Sequence, residues 1–211
     1  MDTSTTSSRR QLLQLGVASV IARPTWLTPA LARTTLHPTP AQTEGPFYPL
    51  QLPTDHDADL LRHGPVDYRH GTPVWLEGMV TDMAGTPVRG ARVEIWQCDH
   101  LGRYHHPGDG NRADPDFQGF GRVMVDREGR YRFRAIRPVA YGARTPHIHV
   151  KVRLGAREVL TTQLYVAGDP GNARDFLWRS LRTDADRAAL TVPFHPGQDG
   201  LQARFPIVLA L

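Results

Sequence analysis

The chain has 211 residues, enough for one domain with a substantial core, and its balance of 40% hydrophobic to 22% charged residues is that of an ordinary globular protein. The formal charge of +4 is carried by scattered Lys and Arg, with no basic stripe to neutralise a phosphate backbone, which argues against a nucleic-acid partner. The single cysteine, Cys98, excludes an intramolecular disulfide framework and any multi-cysteine zinc or iron–sulfur site.

Residues 1–32 read as an address. Arg9 and Arg10 precede the apolar run "QLLQLGVASVIA", too short to span a bilayer as a mature helix, and "TPALA" ends in small residues suited to cleavage after Ala32. The pattern resembles a twin-arginine export signal, with an ordinary secretory signal as the competing reading. It predicts an exported protein, periplasmic or secreted, with no membrane segment in its mature form. Removing it takes away three Arg and one Asp, so the mature charge falls to +2.

Residues 33–72 are rich in Pro, Thr, His and Asp with weak periodicity, which predicts an extended N-terminal arm wrapping a core. From residue 73 to 211 short β-prone runs alternate with Gly/Pro/Asp turns: "VWLEGMVTD", "ARVEIWQC", "RYRFRAI", "HIHVKVRL", "REVLTTQLYV" and "ARFPIVLAL". This is an all-β pattern, and six or seven short strands favour a β-sandwich over a barrel. Only "TDADRAAL", residues 183–190, predicts a helix, with Thr183 or Asp184 placed to cap it. The stretch "GMVTDMAGTPVRGARVEIW" resembles transthyretin-like sandwich modules, and by itself supports a secreted binding module without catalysis.

Chemistry has to come from elsewhere, and "ARTPHIHVKV", residues 143–152, is the place to start. Alternate side chains of a strand share a face, so His147 and His149 point the same way about 7 Å apart at the backbone, within reach of one ion. A cupin or zinc hydrolase would add a nearby carboxylate. The next one after the pair is Glu158, nine residues on, and there is no H-E-x-x-H. Tyrosines lie close instead: Tyr141 six positions before His147, and Tyr104 in "WQCDHLGRYHHPGD". A phenol titrates near pH 10 in water, so it binds at neutral pH only to a strongly Lewis-acidic ion, of which ferric iron is the candidate. His105 and His106 are neighbours whose side chains would diverge on an extended backbone, and they read as loop residues. Cys98 reads as a small apolar residue beside Trp96.

Several separated motifs agree in order: "TEGPFYP", "EIWQCDHLGRYHHPGD", "DPDFQGFGRVMVDREGRYRFRAIRPVAYGARTPHIHVKV" and "TTQLYV". Over roughly residues 43 to 166 the chain resembles the intradiol ring-cleavage dioxygenases, most of all their protocatechuate type. The resemblance implies a non-haem Fe(3+) held by Tyr104, Tyr141, His147 and His149, with Tyr141 able to leave and serve as a base. It implies that Arg144 stabilises negative charge on the substrate, that Gln163 stands near the pocket with a catalytic role, and that Pro46 and Phe47 line the substrate cavity. It implies O2 and a catechol-type aromatic as substrates, a muconate-type diacid as product, and a homo-oligomer as a possible assembly. Two tyrosinates and one hydroxide would offset the three charges of Fe(3+), and two neutral histidines would complete the set. The loop between Tyr141 and His147 is shorter than in the well-known members, which implies a different pocket rim.

Overall fold

The structure, a computed structural model, describes residues 1–2 and 35–211. The expected export signal falls on residues 1–32 and so lies outside the described residues, apart from its first two. A small hairpin of β1 (Arg62–His63) and β2 (Val66–Asp67) precedes the main strands β3 (Pro73–Asp82), β4 (Ala91–Trp96), β5 (Phe120–Met124) and β6 (Arg130–Ile136). These are followed by β7 (His147–Leu154), β8 (Arg157–Val166), helix α1 (Phe176–Arg179), helix α2 (Asp184–Leu190) and the short strands β9 (Thr191–Val192), β10 (Phe194–Gly197), β11 (Gly200–Arg204) and β12 (Ile207–Leu209). One sheet runs β10-β11-β3 with β6 on the far side of β3, and the other runs β5-β4-β7-β8-β9. The two pack as a sandwich, as the alternation predicted.

The strand sequences say which face goes inward. In β6 the arginines Arg130 and Arg132 are exposed and Arg134 is half-buried, while Tyr131, Phe133 and Ala135 are buried, a period of two that leaves one face for the core. In β7, Ile148, Val150 and Val152 join Val93, Ile95, Leu76 and Leu164 in the core. The opposite face of β7 carries His147, His149 and Lys151, and these are buried as well. A second layer must cover them, and the arm supplies it.

The arm is pinned along its length by backbone hydrogen bonds. Leu36 N–H donates to Met83, Thr39 to Val208 in β12, and Gln42 to Thr161 on the edge of β8, each at 2.8 to 2.9 Å. It then crosses the outer face of β7 and β4, and beyond it Arg122 donates to His56 and Leu60 donates to Arg134. Crossing that face takes it over Lys151, only 2% exposed, whose Nζ bonds Glu44 of the arm and lies 3.1 Å from Glu158 and 3.8 Å from the centre of the Tyr48 ring. A buried ion pair fixes register more surely than it adds stability, because desolvation offsets most of its attraction. Lys151→Met is therefore expected to cost only about 1 to 3 kcal/mol, since Glu44 and Glu158 remain wetted, and to free the arm. Limited proteolysis checks this: cleavage within residues 36–53 should speed up in the variant, and an unchanged rate would remove Lys151 as the clasp.

Two expectations need correction. "ARFPIVLAL" reads as one strand, yet it is divided into β11 and β12, which lie in parallel along the same edge of β3. Pro206 has no N–H for the ladder, and Phe205 turns its carbonyl to accept from the Tyr131 hydroxyl across Gly78. Strand β5 and helix α1 were not anticipated: β5 is only five residues long and follows a stretch dense in Asp, Pro and Gly, while α1 is a single turn. Helix α2 matches its expectation, with Thr183 as N-cap and Asp186 closing a capping box.

Candidate metal centre

Strand geometry places the first two side chains. His147 and His149 rise from the same face of β7, and their Nε2 atoms come within 3.2 Å of each other. His147 Nδ1 lies 2.7 Å from the Thr145 carbonyl, to which it donates, so its Nε2 presents a lone pair. His149 is held between layers, stacked on Trp96 at 4.7 Å with an interplanar angle of 8°, while Gly45 of the arm lies against its Cε1. A Cβ at residue 45 would stand 3.3 Å from that carbon, and Gly45 has φ 74, so the position suits glycine on both counts.

The tyrosines arrive from two loops. Tyr104 follows β4, where its backbone N–H is held by the buried carboxylate of Asp109, and its hydroxyl is 3.4 Å from His147 Nε2. Phe47 of the arm stacks on the Tyr104 ring at 4.7 Å. Tyr141 and Arg144 close a two-residue hairpin, each backbone bonded to the other, with Gly142 at φ 54 supplying the conformation that so tight a turn requires. The turn sets the Tyr141 ring edge-on to Tyr104, with centroids 5.3 Å apart. The six positions from Tyr141 to His147 begin with this turn.

Burial sets the protonation states. It lowers the His147 imidazole to about 4 and holds that of His149 well below its ordinary value, with the Arg144 charge acting in the same direction, so both are neutral at neutral pH. Burial also raises the Tyr104 phenol well above 10 and raises that of Tyr141. Neither phenol ionises here without a cation beside it. The donor set is then two imidazole nitrogens and two phenolic oxygens, a set that suits a hard, strongly Lewis-acidic ion such as Fe(III). Among the described residues no cluster of three or more His, Cys, Asp or Glu is suited to a metal, so a site here needs its tyrosines.

The remaining expected residues are placed as follows. Arg144 is largely buried, donating from Nε to Asp175 at 2.7 Å and from Nη2 to Gln163 Oε1 at 2.6 Å and to the Tyr165 hydroxyl at 3.4 Å. Its Nη1 has no partner among the described residues. Gln163 is fully buried, and its other end donates to the Thr43 carbonyl of the arm, so its amide is committed at both ends and positions Arg144. Pro46 is exposed between Gly45 and Phe47. His105 and His106 lie in the loop after β4, and Cys98 is buried near Trp96 and Tyr104, as expected. Sequence reasoning missed Trp96 as the plate behind His149, Thr145 as the acceptor for His147, and Asp175. Only Asp175 left a signal, as a helix-capping residue ahead of "FLW".

A family model described as Dioxygenase matches residues 43–210. The chain is similar to the protocatechuate 3,4-dioxygenase beta chain of Burkholderia cepacia, 41% identical over 175 residues that cover 74% of this chain and 72% of that one. It is 31% identical over 176 residues to a catechol 1,2-dioxygenase of Pseudomonas sp., covering 75% of this chain but only 56% of that protein's length. Among solved structures it is similar to the dioxygenase domain of a dioxygenase carbohydrate-binding protein fusion from Streptomyces sp. SirexAA-E. The TM-score there is 0.66 at 31% identity, covering 83% of this chain and 99% of that one.

Proposed function

The chain belongs to the intradiol dioxygenase family, and from that premise we propose that it opens catechol-type rings between their two hydroxylated carbons with O2, giving muconate-type diacids. The observation that carries the reading is the convergence of His147, His149, Tyr104 and Tyr141 beside an arginine whose Nη1 has no partner among the described residues. These four residues would hold Fe(III), whose Lewis acidity ionises a catechol and prepares its ring for dioxygen.

The protein's own groups do the rest. Tyr141 is the most open of the four and sits on a turn, so it can swing away, and its phenolate, made more basic by burial, accepts a catechol proton at the phenolic oxygen. The Arg144 guanidinium, only 14% exposed, offers fixed positive charge to an anionic ring beside the buried Tyr104, His147 and His149. Phe47 and the arm segment around it seal the inner side against solvent. A binding module without catalysis has no use for two buried imidazoles aimed at one point. Residues 1–32 are read as a twin-arginine leader, which would carry the folded protein out of the cytoplasm.

Titration of the purified protein with Fe(III) tests the site. A tyrosinate-to-iron charge-transfer band in the visible, saturating at one iron per chain, is the expected result. A protein that binds iron without colour would sink the proposal. Protocatechuate and catechol, named in the relatives, head the substrate panel.

A further inference from the structure

Asp175 lies 31 residues beyond Arg144 in sequence, in the loop that leads into α1, and its side chain is fully buried. Its carboxylate is saturated with donors. Oδ2 accepts from Arg144 Nε at 2.7 Å and from the Thr145 N–H at 3.0 Å, while Oδ1 accepts from the N–H groups of Leu177 and Trp178 at 3.0 Å each. Thr145 extends the reach of this one group. Its N–H rests on Asp175, and its carbonyl accepts the His147 Nδ1 proton.

We propose that Asp175 is the positioning residue of the site: one buried carboxylate aims the Arg144 guanidinium and, through Thr145, sets the ring of His147. The guanidinium is planar and rigid, so holding its Nε and Nη2 fixes the direction of Nη1, the nitrogen that has no partner among the described residues and can meet a substrate. The same contact fixes the segment that leads into β7, so the charge and the imidazole keep one mutual geometry. A site of this kind depends on such support, because a displacement of about 1 Å costs up to about a hundredfold in rate. The inference rests on the ring-cleavage reading for its kinetic consequence, but its geometric part stands without iron or substrate.

Asp175→Asn separates the roles. Asparagine caps a helix as well as aspartate does, so its oxygen keeps Leu177 and Trp178 satisfied. Its NH2 then takes the place of Oδ2 and sets a donor against the donors Arg144 Nε and Thr145 N. In the metal-free protein the Arg144 Nε–H should give a slowly exchanging NMR resonance in the wild type and lose that protection in the variant. In the iron-loaded protein kcat on a catechol should fall at least about tenfold with KM changed by less than about threefold. Asp175→Ser caps the helix but is too short to reach Arg144, and should behave the same way if the asparagine variant does not fold. A folded variant with wild-type protection of Arg144 Nε–H, or with wild-type kcat, would overturn the proposal. A wild type that cleaves no catechol would instead contradict the ring-cleavage reading, and the metal-free resonance would still decide whether Asp175 holds Arg144.

Discussion

Tyr104→Phe should fold normally and lose most of the visible absorption that Fe(III) brings to the wild type. The ring is 2% exposed and packed against Phe47 and Tyr141, so phenylalanine fills the same space. Among the described residues the only side-chain hydrogen-bond partner of its hydroxyl is His147 Nε2, at a long 3.4 Å, and removing it should change stability by no more than about 1 kcal/mol. The loss falls on the metal. One of two charged oxygen donors is gone, and the survivor, Tyr141, sits on an exposed turn. Iron affinity and ring cleavage should both drop by more than the roughly 10- to 100-fold that removal of an outer partner costs. Absorption spectra of the two iron-titrated proteins decide the matter, and an unchanged band would remove Tyr104 from the ligand set.

Gly78→Ala should be the most damaging single-methyl change in the sandwich. Its Cβ would stand 2.0 Å from the Phe205 carbonyl oxygen and 2.7 Å from the Tyr131 hydroxyl, two atoms already bonded to each other across the glycine. The first is backbone at the break between β11 and β12, and it cannot move without pulling Pro206 and the end of the chain from the edge of β3. Overpacking this severe, against backbone, costs about 3 kcal/mol. For a domain of this size that is a fall of about 6 to 12 °C in Tm. Thermal unfolding measures it, and a shift under a few degrees would mean that the β3 edge yields more easily than its geometry allows. The candidate metal centre lies on the other sheet, so molecules that remain folded should keep the wild-type iron spectrum.

Sequence pattern revealed the elements in which one physical rule dominates. Alternation marked β6, β7 and β8 to within a residue, because each must bury one face. The same rule put His147 and His149 side by side. It did not show that the outer face of β7 is covered, since a strand with two buried faces is identified only by what lies upon it, here Gly45 to Tyr48 of the arm. The four candidate ligands and Arg144 were visible because they sit in motifs with fixed spacing. The support around them was not. Asp175 meets Arg144 only through the return of the chain after β8, and Gln163 becomes a link to the arm only when Thr43 is laid beside it. Pro206 was in plain view, and the division it imposes on the last strand follows from its missing N–H.

The most direct test of the account is oxygen uptake by the iron-loaded protein on a panel of catechols, with the product identified by mass and NMR. One O2 consumed per catechol, both oxygen atoms found in a diacid opened between the hydroxylated carbons, is the predicted result. An iron-loaded, correctly folded protein that consumes no O2 on any catechol, or that cleaves the ring beside the hydroxyl pair, would contradict it.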